Sequence, residues 1–411
     1  MDIIPILRAL GRRKVGALLI ALQVALTIAL LANSLSVVQQ RIAHMQRPSG
    51  LDEADLFTLS NQFAGSMADL SARIRSDLAQ LRAIPGVVDA VAVNSFPLRG
   101  YGGSTGVTRT PDPKAGSLNA AEYAATDRTL ATWGLRLIAG RNFRAAEVSE
   151  FHAGESYAPP AVAIVSQALA KALFPHGDAL GQNIFLTTTA PTRIIGIVAR
   201  AQTPWAANES AMFGAEYSLL EPMQLVSPGI AYVVRTQPGR STALLPVAQQ
   251  QLYALDRVRI LSDAQTFPQT RAEQYRSDRS LALILVVVCL LMLVVTACGI
   301  VALTTYWVVQ RRRYIGMRRA LGARRADILQ YFHVENLLIG GAGGALGIAL
   351  ALGANAWLAV NLETTRMNAT YVLVGTLVVM ALSQAAVLWP ALRAAALAPA
   401  AAIRGHQVEI S

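Results

Sequence analysis

"SLALILVVVCLLMLVVTACGIVALTTYWVVQ" (280–310) runs directly into "RRRYIGMRRALGARRADILQ" (311–330). The first piece is 31 residues without Asp, Glu, Lys or Arg; the second places seven arginines within fifteen residues, with Gly322 among them. An α-helix needs about 20 apolar residues to cross roughly 30 Å of hydrocarbon, and inside the bilayer it satisfies its own backbone. The pair therefore reads as a membrane span that ends abruptly at a basic boundary.

Three further windows carry no acidic or basic side chain: 15–40, 336–362 and 367–392. Each is long enough to span. The whole chain agrees, with 53% hydrophobic and only 15% charged residues among 411, too apolar for an ordinary soluble domain. Arg8, Arg12, Arg13 and Lys14 resemble the basic start of a signal peptide, but the apolar core 15–31 exceeds the usual length of about 7–15 residues, so an uncleaved helix is expected.

The charges assign an orientation. Residues 41–279 hold 22 basic and 20 acidic side chains, whereas 1–40 carry a net +3 and 280–411 a net +6. The positive-inside rule then places both termini and the 311–332 segment in the cytoplasm, and sends 41–279 and the short 363–366 turn across the membrane. The expected fold class is a membrane protein of four transmembrane α-helices with a large α+β exported domain between helices 1 and 2. The overall net charge of +11 reports this topology, and no nucleic-acid partner is expected. Cys289 and Cys298 lie nine apart on one predicted helix, about 13 Å along its axis, too far for a disulfide.

Within the exported region "DLFTLS" (55–60) alternates as a strand does, Met67, Leu70, Ile74, Leu78 and Leu81 recur at helical spacing, and "GVVDAVAV" (86–93) reads as a strand. A second such unit is "IAYVVRT" (230–236), a helix through Leu244, Leu245, Leu252 and Leu255, and "RVRILSD" (257–263). Two βαβ units at either end suggest a split-βαβ lobe, 50–99 plus 226–265, with 100–225 inserted as a second lobe. In the insert, 161–174 reads as a strand running into a helix and 193–199 as a strand, with 99–119 and 201–212 as loops. Residues 266–279 join this domain to the second span; "QTRAEQYRSDRS" (269–280) has no proline or glycine, so it either continues helix two as a stalk or forms a flexible linker.

No catalytic or metal site emerges. "GGSTG" (102–106) matches the G-x-S-x-G nucleophile elbow with Ser104 as the nucleophile, but that motif needs a helix after it and "VTRTPDPKAG" cannot supply one, so a glycine-rich surface loop is expected. The five histidines are scattered and none has a second histidine at metal spacing. A phosphate-cradling P-loop needs G-K-[ST], and Lys14, Lys114 and Lys171 follow Arg, Pro and Ala. Any ATP that drives this chain is hydrolysed by another protein.

Gly340, Gly344, Gly343 and Gly347 form two four-spaced pairs in the third window, a small face for close helix packing. The charge-free windows place no acidic or basic residue at the bilayer midplane, unlike an ion-coupled carrier. In 311–332, Tyr314, Met317 and Leu321 form an apolar stripe, Gly322 permits a break, and a second helix is expected from Arg324 through Ile328, Leu329 and Phe332. The expected result is a helix, turn and helix under the membrane, with arginines reaching anionic lipid headgroups.

"RRRYIGMRRALGARRADIL" resembles the cytoplasmic segment of the FtsX-like permease family, the permeases of mechanotransmission (type VII) ABC transporters, usually R-R-x-E-I-G-x-R-[RK]-A-L-G-A. "LRLIAGRNF" (135–143) and "VAIVSQALAKALFPHGDALGQNI" (162–184) are similar to the periplasmic core domain of its MacB-like, macrolide-exporter branch. "PALRAAALAPAAAIR" (390–404) resembles the family's C-terminal motif, and "PILRALGRRK" (5–14) its N-terminal cytoplasmic helix. Tyr314 stands where the family has an acidic residue.

The resemblance implies a bacterial inner-membrane permease that binds no cofactor itself. Its partners would be two copies of an ATP-binding subunit that use ATP and Mg, a second permease, identical or homologous, and, for export, a periplasmic adaptor and an outer-membrane channel, with membrane lipids around it. The ATPase would seat on Tyr314, Met317, Arg318, Arg319, Leu321, Gly322, Ala323 and Arg324. Lipoprotein release or cell-wall hydrolase activation by the same fold, or a non-transporting sensor or scaffold, remain alternatives.

Overall fold

The computed structural model describes residues 14–64, 69–112, 116–186, 190–205, 213–361 and 368–396. The expected cytoplasmic helix before residue 14, Met67, the 363–366 turn and the tail beyond 396 lie outside the described residues. The chain divides into two compact units, Met1–Ala43 with Arg279–Ser411, and His44–Asp278.

After α1 (Lys14–Met45), the large unit begins with β1 (Leu56–Gln62), α2 (Leu70–Ala83) and β2 (Val87–Val93). There follow β3 (Gly103–Thr108), β4 (Leu118–Ala125), α3 (Thr129–Trp133), β5 (Leu137–Gly140), β6 (Ser149–His152), β7 (Val162–Ser166), α4 (Gln167–Leu173), β8 (Asn183–Leu186), β9 (Pro191–Val198) and β10 (Phe213–Val226). The unit closes with β11 (Gly229–Thr236), α5 (Ser241–Leu255), β12 (Ile260–Thr266) and α6 (Phe267–Gln274).

The strands order as β12-β1-β11-β2, all antiparallel, which is the split-βαβ arrangement with the second lobe inserted between β2 and β11. Alternation along the strands decides which side chains go where. Phe57, Leu59, Ala90, Ala92, Tyr232 and Val234 pack on Ile74, Leu78 and Leu81 of α2 and Leu252 of α5. Their neighbours Leu56, Val91, Val93, Ala231 and Val233 point the other way, into a core shared with Tyr123, Trp133 and Phe267. The central strands β1 and β11 are thus buried on both faces, whereas the edge strand β12 is largely exposed.

The second sheet runs β4-β3-β8-β9-β7-β10-β6, and β4 also pairs β10, so six strands form a closed ring of pairings. Here the structure corrects the sequence reading. Residues 99–119 are not a loop: they contain β3 and the start of β4, and Ser104 lies opposite Ala121 in that antiparallel pair. The glycines of "GGSTG" hid the strand because they carry no alternation to read. Ser166 at the end of β7 caps α4 by accepting from the Leu169 N–H.

One polar group inside the first lobe was invisible to periodicity. Asp77, on the core face of α2, receives a bidentate Arg259 guanidinium at 2.6 and 2.9 Å and the Tyr232 hydroxyl at 2.6 Å, all buried. At the unit's chain entries, His44 Nδ1 lies 3.1 Å from Asp278 Oδ2, and Arg271 hydrogen-bonds the carbonyls of Met45 and Arg47 while pairing with Glu53 at 2.6 Å. The 266–279 segment is helical, in two pieces separated at Tyr275.

The membrane unit contains α7 (Arg276–Gln310), α8 (Arg312–Ala320), α9 (Arg325–Asn361) and α10 (Ala369–Ala396). Among the described residues, α1, α7, α9 and α10 are long and apolar enough to cross a membrane. Polar contacts link α1 to α7: Gln23 Nε2 donates to the Val295 carbonyl at 3.0 Å, and the Thr27 and Thr296 hydroxyls are 2.7 Å apart.

Candidate coupling site

The arginine-rich segment is a helical hairpin whose turn is set by one glycine. Gly322 has φ +97, a left-handed conformation that a residue with a Cβ adopts only with strain. Beside it the Ala323 N–H reaches back to the Arg318 carbonyl at 3.1 Å, a helix-ending bond of the Schellman type. The next helix is capped when the Asp327 carboxylate accepts from the Arg324 N–H at 2.8 Å.

The hairpin has two unlike faces. Ile315, Ile328 and Phe332 are buried in one cluster with Trp307 and Val308. On the other side Tyr314, Met317, Arg318 and Arg324 are exposed, and Leu321, next to the turn, is 84% exposed. Ala323 is half-buried, and the side chain of Arg319 lies outside the described residues. Arg318 sits over the Tyr314 ring at 5.1 Å and the Tyr331 ring at 5.7 Å. Where the family pattern has a carboxylate, this chain offers Arg318 an aromatic face, worth about 0.5–1 kcal/mol at an exposed site.

The strongest anchor involves residues not named as site candidates from the sequence. Arg311, between α7 and α8, makes two parallel bonds to Glu335 of α9, at 2.8 and 3.0 Å, and a third to the Tyr331 hydroxyl at 3.1 Å. Glu335 is only 3% exposed. Two expectations change with it. The second hairpin helix is not a separate element under the membrane: α9 continues from Arg325 to Asn361, because nothing between Phe332 and Asn336 breaks it. And the third membrane helix does carry buried charge, since Glu335 sits just before the charge-free window that began at Asn336.

The glycine pairs serve two different neighbours. A Cβ on Gly343 would lie 2.5 Å from the Ala21 carbonyl oxygen and one on Gly347 2.8 Å from that of Ala25, so these two admit the α1 backbone. Gly340 instead faces Met380 of α10, and Gly344 lies between Ile28 of α1 and Met380.

A family model of the FtsX-like permease C-terminal matches residues 286–399, and one of the MacB-like periplasmic core domain matches residues 17–249, more than half of the chain. The chain belongs to the FtsX/MacB-like permease family. The macrolide export ATP-binding/permease protein MacB of Chromobacterium violaceum is 27% identical to this permease over 230 residues, 52% of this chain and 34% of that protein. The protein of the same name from Escherichia coli is 31% identical over 196 residues, 46% of this chain and 30% of its own. The permease therefore spans about a third of the length of these curated relatives. The crystal structure of the periplasmic region of MacB from Actinobacillus actinomycetemcomitans covers 56% of this chain and 97% of its own, at 16% identity and a TM-score of 0.31.

The permease is accordingly a multi-pass membrane protein with a MacB-like core domain between its first and second membrane helices. Among the described residues no group of His, Cys, Asp or Glu is arranged to hold a metal ion.

Proposed function

We propose that this permease transmits force from a cytoplasmic ATP-binding partner to its core domain, as part of an ATP-driven export system in a bacterial inner membrane. The observation that carries this reading is the hairpin: an exposed Leu321 with basic neighbours, held to the membrane helices behind it by the buried Arg311–Glu335 pair. Displacing that knuckle would move α7 and α9 directly, because no flexible linker intervenes. At the far end of α7, Asp278 is bonded to His44 at the end of α1, so motion of the two helices would reach the core domain as one input.

On this reading the chain binds no nucleotide. ATP and Mg belong to two copies of the partner subunit, a second permease of the same or a related sequence completes the pore-side pair, and both termini are cytoplasmic. The +6 net charge of 280–411, against nearly balanced charge in 41–279, supports that orientation. The names of the relatives support a macrolide or similar compound as cargo; an adaptor and an outer-membrane channel would receive it.

The test is to purify the full chain from native membranes and identify what comes with it. An ATP-binding subunit lost on Leu321→Glu, together with ATP-dependent export, supports the proposal. A bound hydrolase with ATP turnover and no transport indicates mechanical signalling, and absence of any ATPase indicates a scaffold.

A further inference from the structure

At the Gln310 end of α7 the permease has a cleft of about 420 Å³ between α7 and α10. Thr305, Val308 and Val309 of α7 and Arg312 at the start of α8 line one wall, and Pro390 and Arg393 line the other. The lining is apolar at Val308, Val309 and Pro390 and basic at Arg312 and Arg393. On the orientation proposed above, the two guanidinium groups stand at the polar ends of the spans and the apolar side chains toward the hydrocarbon.

Three features distinguish this cleft from an ordinary basic boundary. Among the described residues no acidic side chain lines it, so none of them neutralises Arg312 and Arg393 there. Arg393 lies flat over the Trp389 ring at 3.8 Å, which restrains its head before any ligand arrives. Thr305 Oγ1 is buried with no hydrogen-bond partner among the described residues. Thr305 lies about 8 Å along the axis before the end of α7 at Gln310.

We propose that this cleft binds the headgroup of an anionic phospholipid, its phosphate between Arg312 and Arg393, its ester carbonyls within reach of the Thr305 hydroxyl, and its first methylenes against Val308, Val309 and Pro390. Arginine forks match phosphate oxygens geometrically, and basic pockets between membrane helices are suited to anionic headgroups. The site is independent of the proposed coupling to an ATPase, since it needs only the membrane and this chain. Its occupant would wedge α7 against α10 beside the hairpin.

The experiment uses the full-length permease in detergent, equilibrated with phosphatidylcholine vesicles with or without phosphatidylglycerol, and reads retained lipid by native mass spectrometry. Wild type should retain phosphatidylglycerol in preference to phosphatidylcholine. Arg312→Gln/Arg393→Gln should lower that retention about 10-fold or more, from roughly one tenfold step per two basic contacts at this kind of surface. Val309→Trp, which fills the cleft and leaves every charge in place, should lower it as well. Arg276→Gln/Arg279→Gln, the same loss of charge at the opposite end of α7, should change it less than about 2-fold. Equal losses from the two arginine pairs would show unspecific membrane electrostatics and overturn the site. So would full retention by Val309→Trp, or displacement of the lipid by inorganic phosphate at equal concentration, which would make the cleft a free-anion site.

Discussion

Arg311 and Glu335 are joined by two hydrogen bonds, at 2.8 and 3.0 Å, across 24 residues of sequence, and both side chains are almost removed from water. A buried ion pair costs desolvation on both sides, so its net worth against an apolar pair is small, but removing one partner leaves an uncompensated charge. Glu335→Ala should therefore destabilise the permease by about 3–5 kcal/mol, read as a fall in thermal midpoint in detergent. Arg311→Met/Glu335→Leu should recover most of that loss. An unchanged midpoint for Glu335→Ala would show that the pair does not anchor the hairpin.

The same logic applies inside the core domain, where Asp77 accepts from Arg259 and Tyr232. Asp77→Ala should cost about 3–5 kcal/mol and increase amide hydrogen exchange in α2 and β11. Arg73→Gln removes the neighbouring, more exposed partner of Asp256 and should cost less than about 1 kcal/mol. Equal effects of the two changes would contradict the assignment of Asp77 to the core.

Close approach of α9 to α1 rests on Gly343 and Gly347 rather than on glycine in general. Gly343→Ala forces a Cβ against a backbone oxygen and should cost about 1–3 kcal/mol, whereas Gly341 faces open space and its change to alanine should be neutral or slightly stabilising. Thermal midpoints of the two variants in detergent decide it. A tolerant Gly343 would mean that the two helices are not in backbone contact.

A pH dependence is expected from a buried acidic pair in the second lobe. Glu122 on β4 and Glu221 on β10 share a face of neighbouring strands, and the Tyr157 hydroxyl lies 2.8 and 2.9 Å from the two Glu221 oxygens. Burial, then the nearby Glu122, pushes the Glu221 carboxyl up to about 8. Its folded value exceeds its unfolded one, so the native state binds the proton more tightly. The stabilisation is complete below the unfolded value, near 4.5, and is lost as pH rises through about 8, on the order of 5 kcal/mol in all. Glu221→Gln should flatten this fall, measured as hydrogen exchange of β10 in the full chain against pH. An identical slope in the variant would place the titrating group elsewhere.

How much of this was legible depends on which physical signal each feature leaves in a linear sequence. The four spans, the hairpin break at Gly322 and the strands and helices around Leu56, Ile74, Val91 and Tyr232 announce themselves through charge, glycine or a period of 2 or 3.6. β3 did not, since Gly102, Gly103 and Gly106 leave no alternation. Arg311–Glu335, Asp77–Arg259 and Glu122–Glu221 are pairings between distant elements, set by tertiary packing and not by any local spacing. Glu335 carried one faint signal: a lone carboxylate in "YFHVENLL", where the surrounding residues continue a membrane helix without interruption.

The account stands or falls on the exposed knuckle at Leu321 being where an ATP-binding partner takes hold. The direct measurement is the ATPase rate and the movement of the core domain, followed by a spin-label distance between the core domains of the two permeases, in the reconstituted complex of wild type and of Arg318→Glu/Leu321→Glu. The account predicts normal membrane insertion in the variant, with the ATP-driven distance change abolished and no stimulation of hydrolysis by the permease. A variant that still couples hydrolysis to the distance change would contradict it.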